Sequence, residues 1–245
     1  MKPNTHPGTP VFNTTQWSVV RSVRSTDTAA AAVALEQLCT TYWTPAYAYA
    51  RYLGNSPDDA LDLTQGFFER IITGGYFSQA DQSRGRFRSF LLTSLKHYIF
   101  NQRAKKNAVR RGGRVQFIPL EQSRAETTIR IEPVDHASPD LAFDKEWALA
   151  LLDTVMKALE AGYEKRGEGN LFKTLQPCLA KGRDRLSYDE LAKLLRMTEG
   201  AVKVTVHRMR KRYRELLREQ VAQTVSSAEE AEEELRHLFQ ALAGS

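Results

Sequence analysis

The segment from Leu186 to Tyr213 constrains the fold of this 245-residue chain more than any other. Its sequence is LSYDELAKLLRMTEGAVKVTVHRMRKRY, a short apolar-periodic run followed by a second, cationic one. Ser187 and Glu190 stand three residues apart at the start of the first run, which predicts a capping box. Arg196 to Thr198 break the pattern, and Thr198 is placed to cap a second helix. The pattern therefore predicts two helices joined by a tight turn.

The second of these helices has one apolar stripe and one basic surface. Its apolar side chains recur at spacings of three and four, which places them on one inward side. They are Val202, Val206, Met209, Tyr213 and Leu216. The cations fall mostly off that stripe, and a short capped helix before a basic helix suits the major groove of DNA. We predict a helix-turn-helix; two helices of an ordinary bundle with solvated cations are the alternative.

The rest of the chain also has helical periodicity, and from Thr15 onward no convincing alternation of apolar and polar residues predicts a strand. We therefore expect an all-α protein. Expected helices outside the helix-turn-helix span Ala29–Leu53 (interrupted by Pro45), Asp58–Ile72, Phe87–Lys106, Leu141–Tyr163, Leu171–Leu179 and Ser226–Gly244.

The composition of the connecting segments predicts two small helical domains on a flexible tether. Glycines and prolines without periodicity mark the tether. The expected organisation is a disordered stretch at 1–15, a first domain at 16–110, a linker at 111–140, a second domain at 141–220 and an acidic helical extension at 221–245.

Charge and cysteine content restrict the class of protein. The formal net charge of +6 favours an anionic partner. Cys39 and Cys178 are far apart and lack metal-ligand spacing, so we expect neither a disulfide framework nor a zinc site. No apolar run approaches the roughly 18 residues needed to cross a bilayer. We expect a cytoplasmic protein with no membrane partner.

A strongly basic segment lies well before the helix-turn-helix. Between Arg84 and Arg114 there are ten Lys or Arg residues and no Asp or Glu, which indicates a nucleic-acid or anionic surface. The aromatic residues within it are expected to be mostly core, with one or two available to stack on exposed bases. They are Phe87, Phe90, Tyr98 and Phe100. A merely solvated basic face is the alternative.

The chain offers no catalytic constellation, phosphate-binding loop or nucleophile elbow. Its five histidines are scattered without metal-ligand spacing. Asp58, Asp59 and Asp62 lie on one predicted helix, but no second acidic cluster accompanies them. We expect a protein that is not an enzyme and needs no cofactor or metal.

Two segments of the first domain carry a family resemblance. DDALDLTQGFF at 58–68 is similar to the "DAEDLxQExF" helix of the extracytoplasmic-function sigma factors of bacterial RNA polymerase, with Asp62 and Gln65 at its Asp and Gln positions. GRFRSFLLTSLKH at 85–97 is similar to their "FRxWLxxIAxN" segment, with Phe90 at the Trp position and His97 at the Asn position.

The second domain carries a third matching segment. Ser187 to Arg212 matches the C-terminal helix-turn-helix of those factors, and TEGAVK at 198–203 is similar to their "PxGTVKSR" turn into the recognition helix. Three motifs in the family's order, with a linker between the second and third, make up the resemblance. It covers about residues 35–218.

The resemblance implies a sigma factor that binds core RNA polymerase and directs initiation at promoter DNA by recognising its −10 and −35 elements. It implies polymerase binding by Asp58, Asp59, Asp62 and Gln65. It implies contact with the −10 element by Arg86, Arg88, Lys96, His97, Asn101, Arg103, Lys105 and Lys106. It implies contact with the −35 element by Lys203, Thr205, Arg208, Arg210 and Arg212. An anti-sigma factor or a kinase is a candidate regulator.

Other functions compatible with the sequence are a stand-alone repressor or activator, an enzyme acting on nucleic acid, and an adaptor without a DNA role. The acidic residues of 226–244 also have two interpretations. The helix packs on the second domain, or its acids cover the basic recognition helix until polymerase binds.

Overall fold

The computed structural model describes residues 28–73, 86–112, 138–179, 186–225 and 227–243. Within these ranges every regular element is helical, which confirms the expected all-α class. The elements are α1 (Thr28–Tyr52), α2 (Pro57–Ile72), α3 (Phe87–Gly112), α4 (Pro139–Glu164), α5 (Gly169–Leu175), a 3-10 helix (Gln176–Leu179), α6 (Tyr188–Leu195), α7 (Glu199–Ala222) and α8 (Ala228–Ala243).

Side-chain caps start several of these helices. The Ser56 hydroxyl accepts a hydrogen bond from the Asp59 amide, and Ser138 caps α4 in the same way through the Leu141 amide. A proline follows each of these serines, where its missing amide costs nothing. Such caps stabilise a helix by about 1 kcal/mol each. They explain why α2 and α4 begin one or two residues earlier than the predicted starts.

Two prolines affect their helices differently. Pro45 lies inside α1, which continues through it to Tyr52. The predicted interruption is therefore wrong. Pro45 cannot donate a backbone hydrogen bond, but Tyr42 and Tyr47 on either side of it are buried in the hydrophobic core and hold the helix there. Pro177 does end regular α-helix, and the chain tightens into the 3-10 helix there.

One hydrophobic core joins α1, α2, α3, the first half of α4, the end of α7 and α8. Tyr42 of α1 lies at its centre, with the Phe87 ring edge-on at 5.5 Å and the Phe143 ring stacked at 6.5 Å. Trp147 is fully buried in the same core. Aromatic pairs of this kind stabilise by about 0.5–1.5 kcal/mol beyond area burial.

A second core lies beneath the helix-turn-helix. It combines the end of α4, α5, the 3-10 helix, α6 and the first half of α7. Tyr213 and Leu216 of α7 pack against both cores. Along α4, the residues of the first core extend to Val155 and those of the second begin at Met156 and Leu159. Residues 1–15 and 113–137 lie outside the described residues, and the division into two domains remains a prediction.

No helix among the described ranges combines the length and apolarity that crossing a bilayer requires.

Candidate nucleic-acid and partner interfaces

The turn between α6 and α7 has the predicted geometry. Ser187 and Glu190 form the complete capping box at the start of α6, and the Thr198 hydroxyl accepts the Ala201 amide at 3.2 Å at the start of α7. Arg196 ends α6 in the left-handed conformation, at φ 53° and ψ 43°. A non-glycine residue there costs about 1–2 kcal/mol, so the turn is maintained by the packing on either side.

The buried residues of α7 determine which side of the helix faces solvent. Val202, Val206 and Met209 are buried in the second core, as the spacing of three and four predicts. The N-terminal turns of α7 consequently present their polar side chains to solvent. This confirms the predicted local arrangement of two helices, a turn and an outward basic surface.

Three of the predicted −35 contacts, Lys203, Thr205 and Arg208, are those expected to enter the groove, and we call them the groove residues of α7. They differ in their surroundings. Lys203 is exposed and pairs with Glu199 at 2.6 Å within its own helix; that hydrogen bond raises the pKa of the Lys203 ammonium. Arg208 is exposed and has no hydrogen-bond or ion-pair partner among the described residues. Thr205 donates its hydroxyl to the Ala201 carbonyl at 2.8 Å and is half-buried. Lys203 and Arg208 are therefore the side chains best placed to reach a ligand.

Arg210 and Arg212, also predicted to touch DNA, are engaged within the protein. Arg210 donates two hydrogen bonds, of 3.0 and 2.6 Å, to the Cys178 carbonyl oxygen of the 3-10 helix. Arg212 donates to Glu215 and Glu219 on the next turns of α7. Arg210 therefore braces the 3-10 helix against α7, a role that its spacing in the sequence did not indicate.

One face of α3 is polar, basic and aromatic. His97, Asn101 and Lys105 recur at intervals of four, so they lie on one side of the helix. All three are exposed, with no partner in the part of the chain that the structure describes. Phe100 lies beside them with 72% of its surface exposed. We call these four residues the α3 face.

The position of Phe100 was not singled out from the sequence. The predicted buried residues of α3 are buried or half-buried in the first core, including Phe87, Leu91 and Leu95. Phe100 falls outside their spacing of three and four, and that offset is the signal that could have identified it.

Three predicted DNA-contact cations, located just before α3 or in its first three turns, are paired with acidic side chains of α4 and α8. We call the cations, Arg86, Arg88 and Lys96, the clamped cations. Their partners, which we call the acid clamp, are Asp140, Asp144, Glu233 and Glu234.

Arg88 lies at the centre of this cluster and is 5% exposed. Its guanidinium donates to Glu234 at 2.8 Å and to Asp144, and lies 5.1 Å from the Trp147 ring centroid. Burial acts to lower the pKa of Arg88, but the hydrogen bond and charge of Glu234 outweigh it and raise the pKa. In this arrangement two carboxylates and an indole enclose Arg88, so its predicted contact with the −10 element stays a prediction.

Two other predicted cations of α3 attach it to the end of α1 and the start of α2. Arg103 donates to the Leu53 carbonyl oxygen at 3.0 Å, and Lys106 pairs with Asp59 at 3.0 Å. Both pairs are exposed, so each contributes little to stability on its own.

The predicted polymerase-binding residues lie on the solvent side of α2. Asp58, Asp62 and Gln65 are exposed. Gln65 donates to Glu69 at 3.0 Å one turn later. Asp59, in contrast, is engaged by Lys106 and by the Ser56 hydroxyl. Leu61 is 46% exposed between the acids.

The acidic C-terminal helix α8 is part of the first core, into which it buries Leu235 and Leu238. Among the described residues, no acid of α8 contacts Lys203, Thr205 or Arg208 of α7. Two acids of α8 belong to the acid clamp on α3, and Glu232 lies 3.5 Å from Arg218. The hypothesis that these acids cover the recognition helix is therefore wrong for the described contacts; they cover the start of α3 instead.

Neither cysteine is bonded to the other. Among the described residues, no three His, Cys, Asp or Glu side chains are grouped as metal ligands. Comparisons with protein families, with curated proteins and with solved structures find no match to this chain.

Proposed function

We propose that this protein is a sigma factor, which binds core RNA polymerase and directs it to promoters through their −10 and −35 elements. The observation that carries the proposal is the presence of two separate surfaces suited to nucleic acid on one helical chain. One is the α3 face, and the other is the outward side of α7 at Lys203 and Arg208.

The α3 face has the chemistry that single-stranded DNA requires. Phe100 offers an exposed ring on which an unpaired base can stack, an interaction of about 1–3 kcal/mol. Lys105 supplies charge for a phosphate, and His97 and Asn101 supply donors and acceptors for a base edge. Duplex-binding helices do not require an exposed aromatic ring, so this face supports a role in melted promoter DNA.

The α7 surface is suited to duplex DNA. Lys203 and Arg208 lie in the first turns of a capped helix whose opposite side is buried. Arginine or lysine at a guanine edge contributes about 1–3 kcal/mol of discrimination. In the proposed function these two residues specify the −35 element.

The exposed side of α2 would bind the polymerase. Asp58 and Asp62 offer two carboxylates one turn apart, with Leu61 exposed beside them. Such a mixed acidic and apolar surface complements a basic protein surface with apolar pockets. The protein then supplies position and specificity, and the polymerase performs the chemistry.

The proposal is tested by mixing the purified chain with core polymerase. Co-elution in gel filtration and run-off transcription from defined start sites on genomic fragments are the expected results. A chain that neither co-elutes nor directs initiation would exclude the proposed function.

A stand-alone repressor or activator is the second candidate. Lys203 and Arg208 are exposed in the described arrangement, as duplex binding without polymerase would require. Specific binding to a duplex operator in the absence of polymerase, with no effect of the chain on core transcription, would favour it.

A further inference from the structure

Where α3 contacts α4 and α8, the cations lie on the α3 side and the acids lie on α4 and α8. The clamped cations lie just before α3 or in its first three turns, and all residues of the acid clamp belong to α4 or α8. Carboxylate oxygens engage guanidinium and ammonium groups with the same geometry that phosphate oxygens use. The acid clamp therefore occupies the positions that a DNA backbone would take on these cations.

Apolar and backbone contacts also join helices α1–α3 to helices α4–α8. The Phe87 amide of α3 donates to the Thr224 carbonyl after α7 at 3.0 Å. The Tyr42 ring of α1 stacks on Phe143 of α4. Helices α1–α3 therefore contact α4–α8 through one continuous interface with a charged edge.

The hydrogen bond between Phe87 and Thr224 limits how far apart the two proposed DNA sites can be. His97 lies about 15 Å along α3 from Phe87, and Lys203 lies about 29 Å along α7 from Ala222. The two-residue step from Ala222 to Thr224 and the distance across the hydrogen bond from Thr224 to Phe87 together add about 14 Å. In this arrangement the Cα atoms of His97 and Lys203 are no more than about 60 Å apart.

Promoter elements at −10 and −35 are farther apart than that limit. Their centres are separated by about 25 base pairs, or about 85 Å of B-form DNA. Extended side chains add only about 6 Å at each end. A duplex this short resists the sharp bend that would bring the elements closer.

We infer that the described arrangement is a closed state that promoter engagement must open. The acid clamp holds α4–α8 against α1–α3 and covers Arg86, Arg88 and Lys96, so DNA and the acid clamp compete for the same cations. This inference rests on the proposed function, because the distance between promoter elements supplies the need to open.

The first test measures one distance in two states of the full chain. Nitroxide labels are attached through p-azidophenylalanine at Thr40 of α1 and Asn170 of α5, both exposed, with the native cysteines left in place. The expected result is a single short distance in the free protein that lengthens by about 20 Å or more with core polymerase and promoter DNA. An unchanged distance in a complex that initiates transcription would overturn the inference.

The second test weakens the exposed edge of the acid clamp. The variant Asp140→Asn with Glu233→Gln removes one charge from α4 and one from α8, where both side chains are about half exposed. The control Asp153→Asn with Glu229→Gln removes the same charges from the same helices, at positions without contacts to the clamped cations.

The clamp variant is expected to show at least a threefold larger open fraction of the labelled free protein than the control. Equal open fractions in the two variants would assign the closed state to apolar packing alone and overturn the role of the acids. Glu234→Gln, which keeps the shape of the buried carboxylate, is expected to open the protein further.

The two tests also separate this inference from the proposed function. Failure to bind polymerase or to direct initiation removes the proposed function, whatever the label distance. Normal initiation with a closed protein removes only the closed-state inference.

Discussion

The Phe87 amide and the Thr224 carbonyl oxygen form a hydrogen bond of 3.0 Å between the first residue of α3 and the residues after α7. The first amides of a helix lack intrahelical partners and need one from elsewhere. Here a carbonyl 137 positions later in the sequence supplies it. The start of the proposed −10 helix is thereby tied to the end of the proposed −35 helix.

Removing the exposed polar side chains of α2 is expected to weaken polymerase binding without affecting folding. Asp62→Ala with Gln65→Ala should lower the affinity for core polymerase about tenfold, measured by fluorescence anisotropy. Stability should change by less than about 0.5 kcal/mol, because both side chains are exposed. Asp153→Ala, which removes one exposed acid from α4, is the matched control. Unchanged affinity in the double variant would remove these residues from the docking surface.

Loss of the groove residues of α7 is expected to abolish directed transcription while polymerase binding persists. Lys203→Ala with Arg208→Ala removes the two exposed cations among the predicted groove residues of α7. Run-off transcription from the cognate promoter should be lost, and co-elution with core polymerase should be retained. Lys157→Ala with Lys173→Ala removes two exposed cations outside α6 and α7 and should transcribe normally. Transcription that survives in the first variant would show that the recognition helix is misassigned.

The exposed ring of Phe100 is expected to matter for promoter melting and not for folding. Phe100→Ala should reduce strand opening about tenfold in permanganate footprinting, which corresponds to the stacking of one base. Its midpoint of urea unfolding should equal that of the unaltered protein, because the ring is 72% exposed. Phe100→Trp should restore opening. Equal opening by the Ala variant would exclude a stacked base at this position.

Arg210 is expected to stabilise the fold and not to bind phosphate. Arg210→Ala removes two charge-assisted hydrogen bonds to the Cys178 carbonyl and should lower the free energy of unfolding by about 1–3 kcal/mol in urea titrations. The salt dependence of DNA binding by the polymerase complex should keep its slope. A slope smaller by about 1 would instead identify Arg210 as a phosphate contact.

Gly66 is expected to resist substitution although it lies inside α2. A Cβ at this position would meet the hydroxyl of Tyr98, whose ring is buried between α2 and α3. Gly66→Ala should therefore destabilise the protein by about 1–3 kcal/mol, despite alanine's better helix propensity. The double variant Gly66→Ala with Tyr98→Phe removes the clashing oxygen and should recover part of that loss. A more stable single variant would mean that Tyr98 moves freely.

Much of the local structure was predictable from the sequence. The capping box of Ser187 and Glu190, the cap at Thr198 and the buried stripe of α7 all depend on residues within a few positions of each other. Spacing and side-chain chemistry suffice for such features, because they repeat within one or two helical turns. The exposed polar residues of α2 were predictable for the same reason.

The candidate site was only partly predictable, because charge alone does not indicate which side chains are free. Arg88 and Lys105 are both cations of one basic segment, yet Arg88 is buried and Lys105 is exposed. On α7, Arg210 donates to the Cys178 carbonyl oxygen, whereas Arg208 faces solvent. The exposure of Phe100 depends on which helices cover α3.

The formation of helices, the starts of several of them and the two strongly basic regions can all be read from neighbouring residues, because these properties are local. Which cations remain available depends on how the helices pack. Arg88 meets Asp144 and Glu234 from 56 and 146 positions away. An ion pair between residues so far apart forms only where the packing of apolar faces brings their helices together, and the pattern of charges along the chain carries no record of that packing.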